Sequence, residues 1–302
     1  MSRTRVTEWA GANVSGGSKS HTSASKRTKP SPARPPEPIA ESVEAERLGP
    51  PSRLLFALES RAVLEWASFA LAWPWLKRAP KGDGHPVLVL PGLVAGDAST
   101  YPLRRFLKQL GYVAYPWELG VNFGPRGETV PKLLARVQQI ERKHGTKLSL
   151  IGWSLGGAMA RALAVRMPDQ IRNVITLGSP VQPHPHATNA WQVFEAVSGW
   201  RTDDPELREM ATLHPSMPNT SIFSKGDGIV SWRASIAPES TISENIEIAA
   251  SHLGMGVNPL VLWAIADRLA QAEGEWQPFE RSGLLRSWLF RKPGQFRFAQ
   301  LL

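Results

Sequence analysis

The sequence predicts an α/β fold, a mostly parallel sheet with helices on both faces. Two features of the pattern predict it. Short, buried-type apolar runs such as Pro86-Val87-Leu88-Val89-Leu90 and Leu148-Ser149-Leu150-Ile151 alternate with longer stretches of helical period. Strands separated by helices need crossover connections, which place helices on the two faces of a parallel sheet. The length of 302 residues, 42% of them hydrophobic, allows one large domain with extensions. The chain has no cysteine, which excludes disulfides, a thiol nucleophile and thiolate metal sites.

The elements follow in order as strand 86–91, helix 99–110, strand 112–117, helix 128–144, strand 148–153, helix 155–167 and strand 172–178. After an insert at about 181–218 come strand 220–225, strand 245–250 and helix 258–271. In such a sheet function belongs at the carboxyl ends of the strands.

The densest signal lies at one such end. The run Leu148 to Trp153 feeds into Gly152-Trp153-Ser154-Leu155-Gly156-Gly157, and helical pattern from Ala158 to Met167 follows directly. A Gly-x-Ser-x-Gly between strand and helix is a nucleophile elbow, whose serine is held in strained backbone geometry above the sheet. The alternative, an ordinary Gly/Ser turn, does not require this flanking pattern. A serine hydroxyl needs a base, an orienting acid and an oxyanion hole to attack a carbonyl. Thr220 to Val230 reads as a strand ending in an acidic loop, which makes Asp227 the candidate acid. Ile246 to Ala250 reads as a strand from whose end Ser251-His252-Leu253-Gly254 departs, which makes His252 the candidate base. The backbone N–H of Leu155, after the nucleophile, and that of Leu93, in the Pro91-Gly92-Leu93 turn after the first strand, are the expected oxyanion donors.

With these segments the chain resembles the α/β-hydrolase superfamily, and within it the bacterial esterase/lipase-like members, from about His85 to Ala270. The resemblance implies an α/β-hydrolase fold with a small helical lid insert. It also implies Ser154 as nucleophile, Asp227 and His252 as acid and base in the order Ser, Asp, His, and Leu93 and Leu155 as oxyanion donors. Two departures are visible. Pro91-Gly92 stands where many lipases have His-Gly, and Gly178-Ser179-Pro180-Val181-Gln182 stands where many read Gly-Thr-Pro-His-x-Gly.

Rival groups exist for each role. His214, in the insert, is the alternative base; His21, His85 and His144 read as tail, strand-start and helix-end residues. His184 and His186 lack a partnering carboxylate or thiolate, so no metal site is expected. Asp97 reads as a helix cap near Ser99, and Asp203 and Asp204 as caps before Pro205. The insert 181–218 is the expected lid, with Trp191, Val193, Phe194, Val197 and Trp200 on its apolar side. Trp191 and Phe194, with Trp153 beside the nucleophile, are the expected substrate-binding residues. A lid packed without a substrate role is the alternative.

The formal charge of +9 sits in the ends of the chain. Residues 1–34 hold seven Lys/Arg against Glu8 (+6), and residues 276–302 hold five against Glu280 (+4), leaving −1 for the rest. Residues 1–50 have too few bulky apolar groups to offset their ordering entropy and are expected to be disordered. They contain no apolar signal-peptide core, and no apolar run reaches the ~18 residues of a spanning helix. The expected location is cytoplasmic. Residues 51–80 are Trp-rich and apolar, interrupted by Glu59, Arg61 and Glu65, with Pro74 expected to end or kink the helix. Packing on the domain 81–275 is the first reading of this segment. Peripheral association with an anionic membrane, aided by the basic tails, is the alternative, and the apolar, cationic stretch Leu284 to Lys292 adds to it. Tail charge without a recognition motif predicts no specific nucleic-acid binding.

The expected activity is hydrolysis of carboxylic esters with hydrophobic acyl groups, with no metal or organic cofactor. An acyltransferase or thioesterase with the same triad, or a non-catalytic lipid-binding protein of the same fold, are the alternatives.

Overall fold

A computed structural model describes residues 48–182, 184, 186–205, 207 and 214–291. The basic tail 1–50, except for its last three residues, and the end of the C-terminal tail, 292–302, lie outside the described residues.

The described residues open with a short helix α1 (Arg53–Ala57), a 3₁₀ turn (Leu58–Arg61) and helix α2 (Ala62–Leu76). The sheet begins with β1 (Pro86–Leu90), followed by α3 (Asp97–Gln109), β2 (Val113–Pro116), α4 (Thr129–His144), β3 (Leu148–Trp153), α5 (Leu155–Arg166) and β4 (Ile171–Leu177). Helix α6 (Trp191–Ser198) precedes β5 (Asn219–Phe223), a 3₁₀ turn (Trp232–Ser235), β6 (Ser243–Glu247), α7 (Pro259–Leu269) and α8 (Leu284–Leu289). The six strands form one sheet in the order β2-β1-β3-β4-β5-β6, every neighbouring pair parallel. Every residue of β1 is buried, as expected of an apolar run covered on both faces.

Local chemistry sets the helix ends. Helix α4 turns Val130, Leu133, Val137 and Ile140 into the core at helical spacing and stops at Gly145, whose φ of 63° closes the end in a left-handed conformation. Helix α7 starts at Asn258, whose side chain accepts from the Leu260 and Val261 amides, with Pro259 in the first turn. One core layer packs α3, α7 and the inner side of α2 on the sheet, through Leu103, Phe106, Val261, Leu262 and Leu76. The opposite layer packs α4 and α5, through Leu133, Val137, Met159 and Leu163.

Four expectations are corrected. Strand β6 runs over Ser243–Glu247 rather than 245–250, because its partner β5 ends at Phe223, whose carbonyl takes the bond from the Ile248 amide (2.9 Å). Pro74 does not end its helix: α2 continues to Leu76, and the break falls earlier, at the 3₁₀ turn Leu58–Arg61. Asp97 does not cap α3 but forms its first residue, and its carboxylate accepts from the Trp117 and Glu118 amides at the end of β2 (3.0 and 3.1 Å). Residues 276–291 are packed chain rather than a tail. Phe279 and Phe290 are buried against each other, the Phe279 amide donates to Glu244, and Arg291 exchanges two backbone hydrogen bonds with Glu247.

Candidate active site

Ser154 sits between β3 and α5 with φ 54° and ψ −123°, a region that non-glycine residues rarely occupy. The turn is so tight that the flanking glycines have no alternative. A Cβ on Gly152 would lie 2.3 Å from the Gly156 carbonyl oxygen, and one on Gly156 would lie 2.5 Å from those of Leu90 and Pro91. The Ser154 amide donates to the Leu177 carbonyl at the end of β4 (2.8 Å). Its side chain therefore leaves the sheet at the N-terminus of α5, where free amides and the helix dipole favour negative charge.

The turn after β1 lies directly against it. A Cβ on Gly92 would sit 3.3 Å from the Ser154 Cβ, so the backbone of this turn reaches Ser154 without an intervening side chain. Val94, a β-branched residue, is held there at φ 55°. Asn122 holds the turn in place. Its side-chain nitrogen donates to the Pro91 carbonyl, its own carbonyl accepts from the Val94 amide, and its amide donates to the Ala95 carbonyl, each at 2.8 Å. Leu93 and Leu155, the two expected oxyanion donors, both border the cavity that Ser154 opens into.

On the far side of β4, His252 Nδ1 lies 2.7 Å from Asp227 Oδ2, with both side chains buried. Asp227 Oδ1 accepts from the Ile229 and Val230 amides at 2.8 Å, so the acidic loop is folded around its own carboxylate. Burial opposes a charge on His252, but the Asp227 carboxylate and, more weakly, Glu59 outweigh it and raise its pKa above the ordinary histidine value. Gly178, the residue after Leu177, brings the two halves together. A Cβ there would meet Asp227 Oδ2 at 2.8 Å and His252 Nδ1 at 3.1 Å. The Asp227–His252 pair thus packs on the same strand end that binds the Ser154 amide.

The loops bearing Asp227 and His252 are tied down from the other end of the chain. Glu59 Oε1 accepts from the amides of Gly228 (2.7 Å) and His252 (3.0 Å), and Oε2 from that of Leu253 (2.9 Å). The Arg61 guanidinium donates to the carbonyls of Gly226 and Ala250, and Glu65 accepts from the Ser251 amide (2.7 Å). Burial pushes the Glu65 carboxyl up despite these donors. Sequence reasoning missed this role, as it missed that of Asn122. The available signal was three charged groups inside an otherwise apolar segment, since charge in such surroundings requires partners.

A cavity of about 150 Å³ adjoins Ser154, walled by Leu155, Met159, Val181, Trp191, Phe194 and Leu207 among others. Trp191 and Phe194, both expected to bind substrate, are therefore in its wall, and the insert 181–218 supplies part of its cover. Trp153 and Val193 are not. Side chains alternate along β3, which sends Trp153 with Ile151 to the α2, α3 and α7 side, where its Nε1 donates to the His252 carbonyl (3.1 Å). Val193 points to solvent. Arg161 also borders the cavity, and burial lowers its pKa to about 10.

Of the other described histidines, His184 borders the cavity and lies 3.2 Å from the Gln182 side-chain oxygen, and the rest are not in its wall. His85 is buried between Asp83 and the Ser149 hydroxyl at the N-terminal ends of β1 and β3, and burial lowers its pKa. His144 meets the Tyr115 hydroxyl, His186 packs edge-on to Trp191, and His214 is exposed and not in the cavity wall. Among the described residues no group of His, Asp and Glu could hold a metal ion. No helix of these residues is long and apolar enough to cross a membrane.

A parallel sheet with a strained serine after its third strand, an acid after the fifth and a histidine after the sixth defines an α/β-hydrolase-fold protein. A family profile described as alpha/beta hydrolase fold matches residues 116–213. Among solved structures the chain is similar to lipase B of Aspergillus fumigatus, with 17% identity and a TM-score of 0.52 over 64% of this chain and 54% of that one. The chain thus spans about half the length of that lipase. It is also similar to the mature lipase of Bacillus licheniformis (16% identity, TM-score 0.48, 64% of this chain and 94% of that one). A third match is the monoacylglycerol lipase of Paleococcus ferrophilus (16% identity, TM-score 0.47, 64% and 96%).

Proposed function

We propose that the protein is a serine hydrolase that cleaves carboxylic esters of hydrophobic acids. The observation that carries this reading is the buried His252–Asp227 pair at 2.7 Å, packed on the strand end that also binds the strained Ser154. His252 removes the Ser154 proton as Oγ attacks the ester carbonyl. The backbone amides of Leu93 and Leu155 take up the charge on the tetrahedral oxygen. His252 then gives the proton to the leaving alcohol, and in the second half it activates water to release the acid and restore Ser154. Asp227 orients the imidazole and balances its positive charge.

The acyl group occupies the cavity under Trp191 and Phe194. In other proteins an apolar volume of this size accepts a benzene-sized guest, which favours short or aryl acyl groups. Similarity to lipases agrees with this substrate class.

A fluorophosphonate probe, with the modified residue located by peptide mass spectrometry, tests the reading. Labelling at Ser154 that is lost in His252→Ala is expected. Labelling of another residue, or labelling of Ser154 unchanged in His252→Ala, would remove the triad.

A further inference from the structure

The segment Arg53–Leu76 has two sides of opposite chemistry. Glu59, Arg61 and Glu65 turn inward onto the loops of Asp227 and His252. From Ala62 to Leu76 every other residue except Ser68 is apolar, so α2 is apolar around its whole circumference. A helix on a water-facing domain has one apolar stripe, whereas one that is apolar all round is covered on every side. Phe69, Ala72, Trp73 and Leu76 meet the domain core. Val63, Trp66, Ala67, Ala70, Leu71 and Pro74, spaced three and four apart, are exposed along the outer side. Val63 is 72% exposed and Leu71 83%.

Helix α8 repeats the situation, with Leu284 94% and Leu285 68% exposed. Leu64 of α2 and Trp288 of α8 border one cavity of about 630 Å³, so the two bare apolar elements lie on one side of the molecule. An apolar surface of this extent marks an interaction site.

Charge identifies the occupant. Both acidic groups of the segment are committed to backbone amides of the catalytic loops. The exposed charges bounding it are Arg53 at its start and Lys77 and Arg78 at its end, all cationic. The described chain enters at Leu48, just before α1, and ends at Arg291, just after α8. Beyond those points residues 1–47 hold eight Lys/Arg against five Glu, and residues 292–302 hold Lys292 and Arg297 with no acid.

We propose that α1, α2 and α8 together dock on an anionic lipid bilayer. The outer side chains of α2 and α8 enter the headgroup boundary, with Trp66, Trp75 and Trp288 at its polar edge and the cations at the level of the lipid phosphates. This inference does not depend on the esterase reading.

Flotation of the full-length protein with vesicles tests it. The protein should float with phosphatidylcholine vesicles containing phosphatidylglycerol, bind at least ~10-fold more weakly to phosphatidylcholine alone, and weaken further as salt rises. The double substitution Leu71→Glu/Leu284→Glu should abolish flotation while the melting temperature and circular dichroism stay those of the wild type. No flotation of the wild type, or unchanged flotation of the double variant, overturns the proposal. It is also overturned if light scattering shows a dimer that Leu71→Glu/Leu284→Glu converts to a monomer, with no vesicle binding by either.

Discussion

The two halves of the site are held in place in opposite ways. The Ser154 half is mostly local: strand, glycine-flanked turn and helix lie within a few residues of Ser154, and the carbonyls of Leu90, Pro91 and Leu177 close on it from neighbouring strands. The acid–base half is remote. The Asp227 and His252 loops close against each other through the Asp227–His252 contact and two hydrogen bonds between Ser224 and Ala250, and against Glu59 through amides 169, 193 and 194 residues away in sequence. The local half can be disturbed only by breaking the turn. The remote half can be detuned gradually, through a carboxylate that touches neither substrate nor nucleophile.

Breaking the turn should have the largest effect. In Gly156→Ala the new methyl would lie 2.5 Å from two backbone carbonyl oxygens, which cannot move without disturbing β1. The expected outcome is a loss of about 2–3 kcal/mol in stability from overpacking and disappearance of fluorophosphonate labelling at Ser154. Urea melts and labelling rates measure the two together. A variant that keeps both wild-type stability and labelling would show that the turn has more room than its geometry implies.

The remote half responds more gently, and with a signature of its own. Glu59→Gln keeps the shape of the side chain but removes a negative charge that raises the pKa of His252. The base must be neutral to accept the Ser154 proton, so the acid limb of kcat/KM should lie above the ordinary histidine value in the wild type. In Glu59→Gln it should move to lower pH. Loosened loops should also lower kcat about 10- to 100-fold, since small displacements of catalytic groups cost that much. Glu59→Asp should recover part of the pH shift. If kcat falls while the pH profile stays where it was, Glu59 acts only as a scaffold.

The smallest effect is expected at the oxyanion turn. Asn122→Ala removes two side-chain bonds, one to the Pro91 carbonyl and one from the nearby Gly124 amide, of which only the first reaches the turn after β1, and leaves the two backbone bonds of residue 122 with Val94 and Ala95. A net loss of about 1 kcal/mol, typical of one such bond, predicts a fall of roughly fivefold in kcat with KM little changed. Steady-state kinetics on a soluble aryl ester would detect it. A larger effect in KM than in kcat would place Asn122 in substrate binding instead.

The same division explains how much was legible in advance. The strand and helix order, the parallel sheet and the elbow around Ser154 depend on neighbours within a few residues, and each left a pattern of period or spacing. Asp227 and His252 read as a candidate acid and base at two strand ends, but the 2.7 Å contact between them exists only in the closed fold. The orientation of Trp153 was misread because its distance from Ser154 along the chain says nothing about which face of β3 it occupies. Glu59, Arg61 and Glu65 read as interruptions in an apolar helix. Their partners are loops that only the closed fold brings within hydrogen-bond reach.

What the sequence alone determined is the set of elements and the glycine-flanked turn that carries Ser154, because turn chemistry and hydrophobic period leave their pattern within a few residues. The tertiary structure decided which distant carboxylate holds the acid and base loops, and which face of the first long helix is left uncovered. Hydrogen-bond partners and solvent exposure are properties of the assembled surface, and no local pattern encodes them.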